Sequence, residues 1–121
     1  MRRDDSYLLD MLVGARTVAR YTAGVTWEEF EQNAILQDAV VRQVPIIGEA
    51  ARALSPECRA AHPEIPWSDI IAMRHRLVHH YFAIRAPLAW DVVEQDIPAL
   101  IEQLTPLVPP EEPAPTPEET L

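Results

Sequence analysis

The chain has 121 residues, one domain's worth, and 48% of them are apolar, enough to close a single core without staples. One cysteine, Cys58, excludes an internal disulfide, and no apolar run reaches the roughly 18 residues that a membrane span requires. The formal net charge of −9 argues against a protein that coats nucleic acid along a groove. The lone cysteine, together with an N-terminus that lacks a signal-peptide pattern, points to the reducing cytoplasm.

The elements follow in chain order. "DSYLLDMLVGARTVARYTAG" reads as an amphipathic helix, with Asp5 or Ser6 as its cap and Gly24 just past its end. Leu8, Leu9, Leu12, Ala15 and Ala19 form its apolar stripe. "TWEE" offers a capping box, Thr26 with Glu29. One helical stretch is then predicted to about Leu54. Its apolar face includes Ile35, Leu36, Val40, Ile46, Ile47 and Ala50, and Pro45 should kink it. A short helical turn is expected after Ser55. Pro66 should open a helix running from Trp67 to Phe82. A last helix is expected from Pro87 to Leu104, kinked at Pro98. From Pro106 the chain turns to proline and glutamate and should form an extended tail. The sum is an all-α, up-and-down bundle of four main helices over 1–105, with a disordered tail over 106–121.

The charge is segregated. All ten cations are arginine, and removing the four tail glutamates leaves −5 on the rest. No acid lies between Asp69 and Asp91, yet "MRHRLVHHYF" (73–82) holds Arg74, Arg76 and three of the four histidines. On a regular helix Ile70, Met73 and Leu77 make the core stripe, Arg74 and Tyr81 share one face, and His75 and His79 share another. Arg74 and His79 would then stand about 140° apart, so they meet one substrate only through Arg74's long side chain, a local irregularity or, the better expectation, a second copy of the helix.

Three chemistries compete for this segment. An exposed face can simply carry arginine and histidine. His75 and His79 at i, i+4 could start a metal site, but the segment has no cysteine or acid to supply a third ligand. A phosphate site is the third. Arginine forks onto phosphate oxygens, and histidine moves a proton near neutral pH. Elsewhere, Trp27, Trp67 and Trp90 read as packing residues rather than stacking platforms. Glu49 reads as a polar helix position, His62 as a surface residue and Cys58 as a small helix residue.

"RHRLVHHY" has the pattern Arg, four residues, His, any residue, Tyr, and it resembles the signature of the HepT toxins of the HEPN superfamily. "YLLDMLVGARTVARYTAG", "LQDAVVRQVPIIGEAARAL", "HPEIPWSDIIAMRHRLVHHYF" and "WDVVEQDIPAL" are similar to that family in order and spacing. The resemblance implies a dimerising helical bundle and a metal-independent, cofactor-free endoribonuclease of a toxin–antitoxin pair. It casts Arg74 as the phosphate-stabilising arginine and His79 as the acid–base histidine, with His75 and Arg76 in support. It casts Tyr81 as the tyrosine to which a cognate minimal nucleotidyltransferase (MntA-like) antitoxin adds AMP. A non-catalytic dimer that docks such a nucleotidyltransferase or binds a nucleotide is the alternative.

Overall fold

The computed structural model describes residues 3–79 and 83–109, with the backbone alone at His79. These residues are predominantly helical. Helix α1 (Asp4–Tyr21) starts two or three residues earlier than its polar residues predict: Arg3 holds the cap position without a side-chain capping bond, and Asp4 lies in the first turn. Asp4 is engaged elsewhere. Its carboxylate accepts from the Ser55 amide at 2.9 Å and the Ser55 hydroxyl at 2.6 Å. Gly24, at φ 73°, turns the chain after α1, a conformation that costs a side-chain-bearing residue.

The stretch from Trp27 to Leu54 is two helices, not one. Helix α2 (Trp27–Glu31) opens on the predicted capping box: Thr26 Oγ1 accepts from the Glu29 amide and Glu29 Oε1 accepts from the Thr26 amide. It ends after five residues because two side chains serve the break. Asn33 Oδ1 accepts from the Leu36 amide, capping α3 (Ala34–Ala53). The Gln37 amide group donates to the Phe30 and Glu31 carbonyls in the last turn of α2. Pro45 lies inside α3 without ending it. The buried face of α3 is Val40, Val44, Ile47, Gly48, Ala50 and Ala51, while Ile35 and Ile46 turn outward.

Helix α4 (Pro56–Ala61) is the predicted short turn, capped by the Ser55 hydroxyl, which accepts from the Cys58 amide at 3.1 Å. Helix α5 (Trp67–Leu77) begins after Pro66 as expected and buries Trp67, Ile70, Met73 and Leu77. It stops at Leu77, five residues short of the prediction. The chain becomes extended, and β1 (Val78–His79) pairs antiparallel with β2 (Ala83–Ile84), with Val78 opposite Ile84 and His79 opposite Ala83. The Arg85 amide closes this hairpin on the Leu77 carbonyl at 2.7 Å. "VHHYFAI" is rich in β-branched and aromatic residues, which favour pairing over a further helical turn.

Helix α6 (Ala86–Asp91) leads into a π turn (Val92–Asp96) and then α7 (Ile97–Leu104). At the expected kink near Pro98 the regular helix gives way to this π turn. Pro98 has no amide to give to residue 94, and the neighbouring Ile97 amide reaches back to Val92. A 3₁₀ turn follows (Thr105–Leu107), and Leu107 and Val108 still pack on the core. The rest of the predicted tail, 110–121, lies outside the described residues.

Helix α1 packs against α3 and α7, and α3 packs against α5. One core joins them, and fully buried Phe30 meets Trp90 at 5.1 Å and Trp27 at 6.5 Å between ring centroids. A ring as buried as Phe30 contributes about 1.5–3 kcal/mol by leaving water. No described helix is long and apolar enough to cross a membrane.

Candidate functional site

The site is built where α3 crosses α5. Gly48 marks the crossing: a Cβ there would just touch the Ile70 and Ile71 carbonyl oxygens, at 3.4 Å. Because α5 approaches the α3 backbone this closely, the next residues along each helix face one another across an open cleft of about 170 Å³. From α3 come Pro45, Gly48, Glu49 and Arg52; from α5 come Ile71, Arg74 and His75. Both sets follow helical spacing, i, i+3, i+4 and beyond, so each is one stripe of its helix.

Arg74 and His75 are exposed, and their side chains have no hydrogen-bond or ion-pair partner among the described residues. Arg52 has one weak partner, Glu49, at 3.9 Å on its own helix. Two arginines and a histidine thus meet one carboxylate, in a chain whose net charge is −9. Both arginines also lie near the C-terminal ends of their helices, where carbonyl dipoles favour a cation.

Arg76 goes elsewhere. Its guanidinium donates to Asp96 at 3.1 Å, tying the last turn of α5 to the π turn. This pair closes one end of a separate pocket of about 110 Å³ between α5 and α7. The acid-free interval of the sequence is therefore not acid-free in space.

The structure places four of the five predicted site residues, in three settings. Arg74 and His75 share the α3–α5 cleft, and Arg76 is paired on the far side of α5. His79 is the second residue of β1, so helical angles do not apply to it. The 140° separation from Arg74, and the argument from it for a site shared between two helices, no longer hold. Tyr81 lies outside the described residues.

The other candidates fall to structural roles. Trp67 donates its indole N–H to the Arg59 and His62 carbonyls, each at 3.0 Å. His62 is half-buried, with Nδ1 3.6 Å from Glu64. Burial first, and then the nearby Asp4 carboxylate, push the Cys58 thiol up, which keeps it protonated and a poor nucleophile. Sequence reasoning missed Arg52 and Asp96. Arg52 carried a signal, since it stands one helical turn after the glycine of "IIGEAAR".

Residues 11–107 match the model of the family described as "Ribonuclease HepT-like". The chain belongs to the HepT-like family. Its similarity to individual members covers more than four-fifths of the chain. A Methanocaldococcus jannaschii protein named "Putative RNase" is 33% identical over 99 residues, covering 82% of this chain and 91% of that one. "Probable ribonuclease HepT" of Thermococcus cleftensis is 34% identical over 99 residues, 82% of this chain and 90% of its own. A second M. jannaschii protein, named as a gamma-glutamylcyclotransferase and putative RNase, is 39% identical over 105 residues, which make up 86% of this chain and 47% of that longer one. No solved structure matches the chain. The α3–α5 cleft and the hairpin after it lie within the HepT-like match.

Proposed function

We propose that this protein is a metal-independent endoribonuclease, the toxin of a toxin–antitoxin pair. The observation that carries the reading is the α3–α5 cleft of a HepT-like chain, where Arg74 and His75 stand exposed and without partners among the described residues. Its relatives' names speak of RNases. In this reading Arg74 binds the scissile phosphate and steadies the charge that develops on it. His79, two residues past the end of α5, takes the proton from the ribose 2′-hydroxyl. The O2′–P bond forms, the P–O5′ bond breaks, and His79 returns the proton to the departing O5′. The products are a 2′,3′-cyclic phosphate and a 5′-hydroxyl. His75 donates a hydrogen bond to the same phosphate.

Control falls to a cognate minimal nucleotidyltransferase, through complex formation, through transfer of AMP from ATP to the Tyr81 hydroxyl with release of pyrophosphate, or through both. The added phosphate would compete with RNA for Arg74. A homodimer is part of the same reading and rests on the family resemblance alone. The net charge of −9 favours a second reading, a non-catalytic module that docks the nucleotidyltransferase or binds a nucleotide.

The test is RNA cleavage by purified protein in EDTA. Wild type should cut, leaving cyclic phosphate ends, and His79→Ala should lose about 10²- to 10⁴-fold in rate. Equal rates for the two would sink the assignment; binding without any cleavage would select the second reading. Co-expression with a nucleotidyltransferase should add one AMP to the intact mass, mapped to Tyr81. Neutralisation at unchanged mass would instead mean control by binding alone.

A further inference from the structure

We infer that Arg52, released from its resting partner Glu49, forms a second phosphate subsite, one that holds the phosphodiester next to the one at Arg74. The inference rests on the ribonuclease reading and deepens it. The cleft has two arginines on opposite walls, Arg52 from α3 and Arg74 from α5. Only one of them is needed at a scissile phosphate. At about 170 Å³ the cleft is well below the roughly 300 Å³ at which sites for whole small molecules begin. It admits backbone groups of a strand lying across it, with sugars and bases remaining outside.

The charge of the walls suits that ligand. Two guanidiniums face one carboxylate, and His75 adds a donor. Glu49 is the resting partner of Arg52, and a poor one. The pair is 3.9 Å apart, with the side chains 63% and 71% exposed, so water and salt screen most of its attraction. A phosphodiester can fork onto Arg52 through two oxygens, which a carboxylate at 3.9 Å does not achieve. Glu49 then acts against binding. It repels the backbone and competes for Arg52, and this selects for strands that place two phosphates in the cleft together.

The experiment measures binding of a single-stranded RNA whose 2′-oxygens are methylated, so that it cannot be cut, across a series of salt concentrations. Removing the side chain that neutralises one phosphate should lower the slope of log K against log salt by about 0.7. Arg52→Gln should bind about five- to tenfold more weakly, with a slope lower by about 0.7. Glu49→Gln should bind more tightly than wild type. Both residues are exposed, and unchanged thermal unfolding would confirm that the fold is intact. A structural role for Arg52 would not move the salt slope. If Arg74→Gln lowers affinity and slope while Arg52→Gln leaves both unchanged, the second subsite is wrong and the ribonuclease reading stands. If neither variant alters binding, the cleft is not the RNA site and both fall.

Discussion

Arg74 and Arg76 stand two residues apart on the last turn of α5, and in the sequence they are members of one basic island. In the fold they belong to different halves of the molecule. Arg74 opens onto the cleft with α3, with no ion-pair partner among the described residues. Arg76 points the other way and is bonded to Asp96, at the π turn that precedes Pro98. A helix rotates about 200° over two residues, so neighbouring charges are dealt to opposite walls. One wall supplied a carboxylate bonded to the arginine, and the other a second arginine with a carboxylate of its own beside it. A basic run therefore overstates the charge available to a ligand, and the neighbour across each wall sets how much remains.

The contrast can be broken most directly by activity. Arg74→Gln should lower RNA cleavage by about 10²- to 10³-fold with little change in thermal unfolding. Arg76→Gln should keep most of the activity and lose stability instead. Comparable losses of cleavage in both variants would mean that Arg76 also reaches the substrate. A smaller effect sharpens the structural half of the comparison. The Arg76–Asp96 pair is half-exposed, so a double-mutant cycle with Asp96→Asn should give a coupling of about 0.2–1 kcal/mol. Zero coupling would show that the pair holds nothing.

The smallest effect concerns another polar tie, Asp4 to Ser55, neither of which lines the cleft. The Ser55 hydroxyl, and then its amide, hold the Asp4 carboxyl below its usual value. A lowered folded-state pKa adds stability that is complete above the unfolded value of about 3.9, and it fades as pH falls through the folded one. Ser55→Ala should therefore flatten the acid side of the stability profile slightly while leaving cleavage at neutral pH unchanged. An identical acid profile in wild type and variant would remove Asp4 from the account.

Much of the helical layout is legible in the sequence because its signals are local. Thr26 with Glu29, Gly24, Ser55 and Pro66 each act on a backbone group within four residues, and each acts as expected. The break between α2 and α3 is equally local. Asn33 capping α3 and Gln37 reaching back are readable in "QNAILQ", but the apolar periodicity runs through the break and conceals it. The end of α5 is not local. Val78 to Ile84 suits a strand or a helix by composition, and pairing across the hairpin decides between them. The outward turn of Ile35 and Ile46 is of the same kind, since periodicity marks a face without saying whether anything covers it.

What the sequence determined by itself, then, is an all-α chain with its helix starts, its basic segment and its likeness to the HepT-like family. Those follow from short-range capping, helical periodicity and a motif held within eight residues. Only the tertiary structure decided that Arg52 would face Arg74 and that Asp96 would take Arg76. Both pairings span twenty residues or more, and they exist because α3 crosses α5 at Gly48 and a π turn before Pro98 carries Asp96 beside α5. No spacing along the chain encodes the distance across a cleft, because that distance is set by the packed side chains and backbones beneath it.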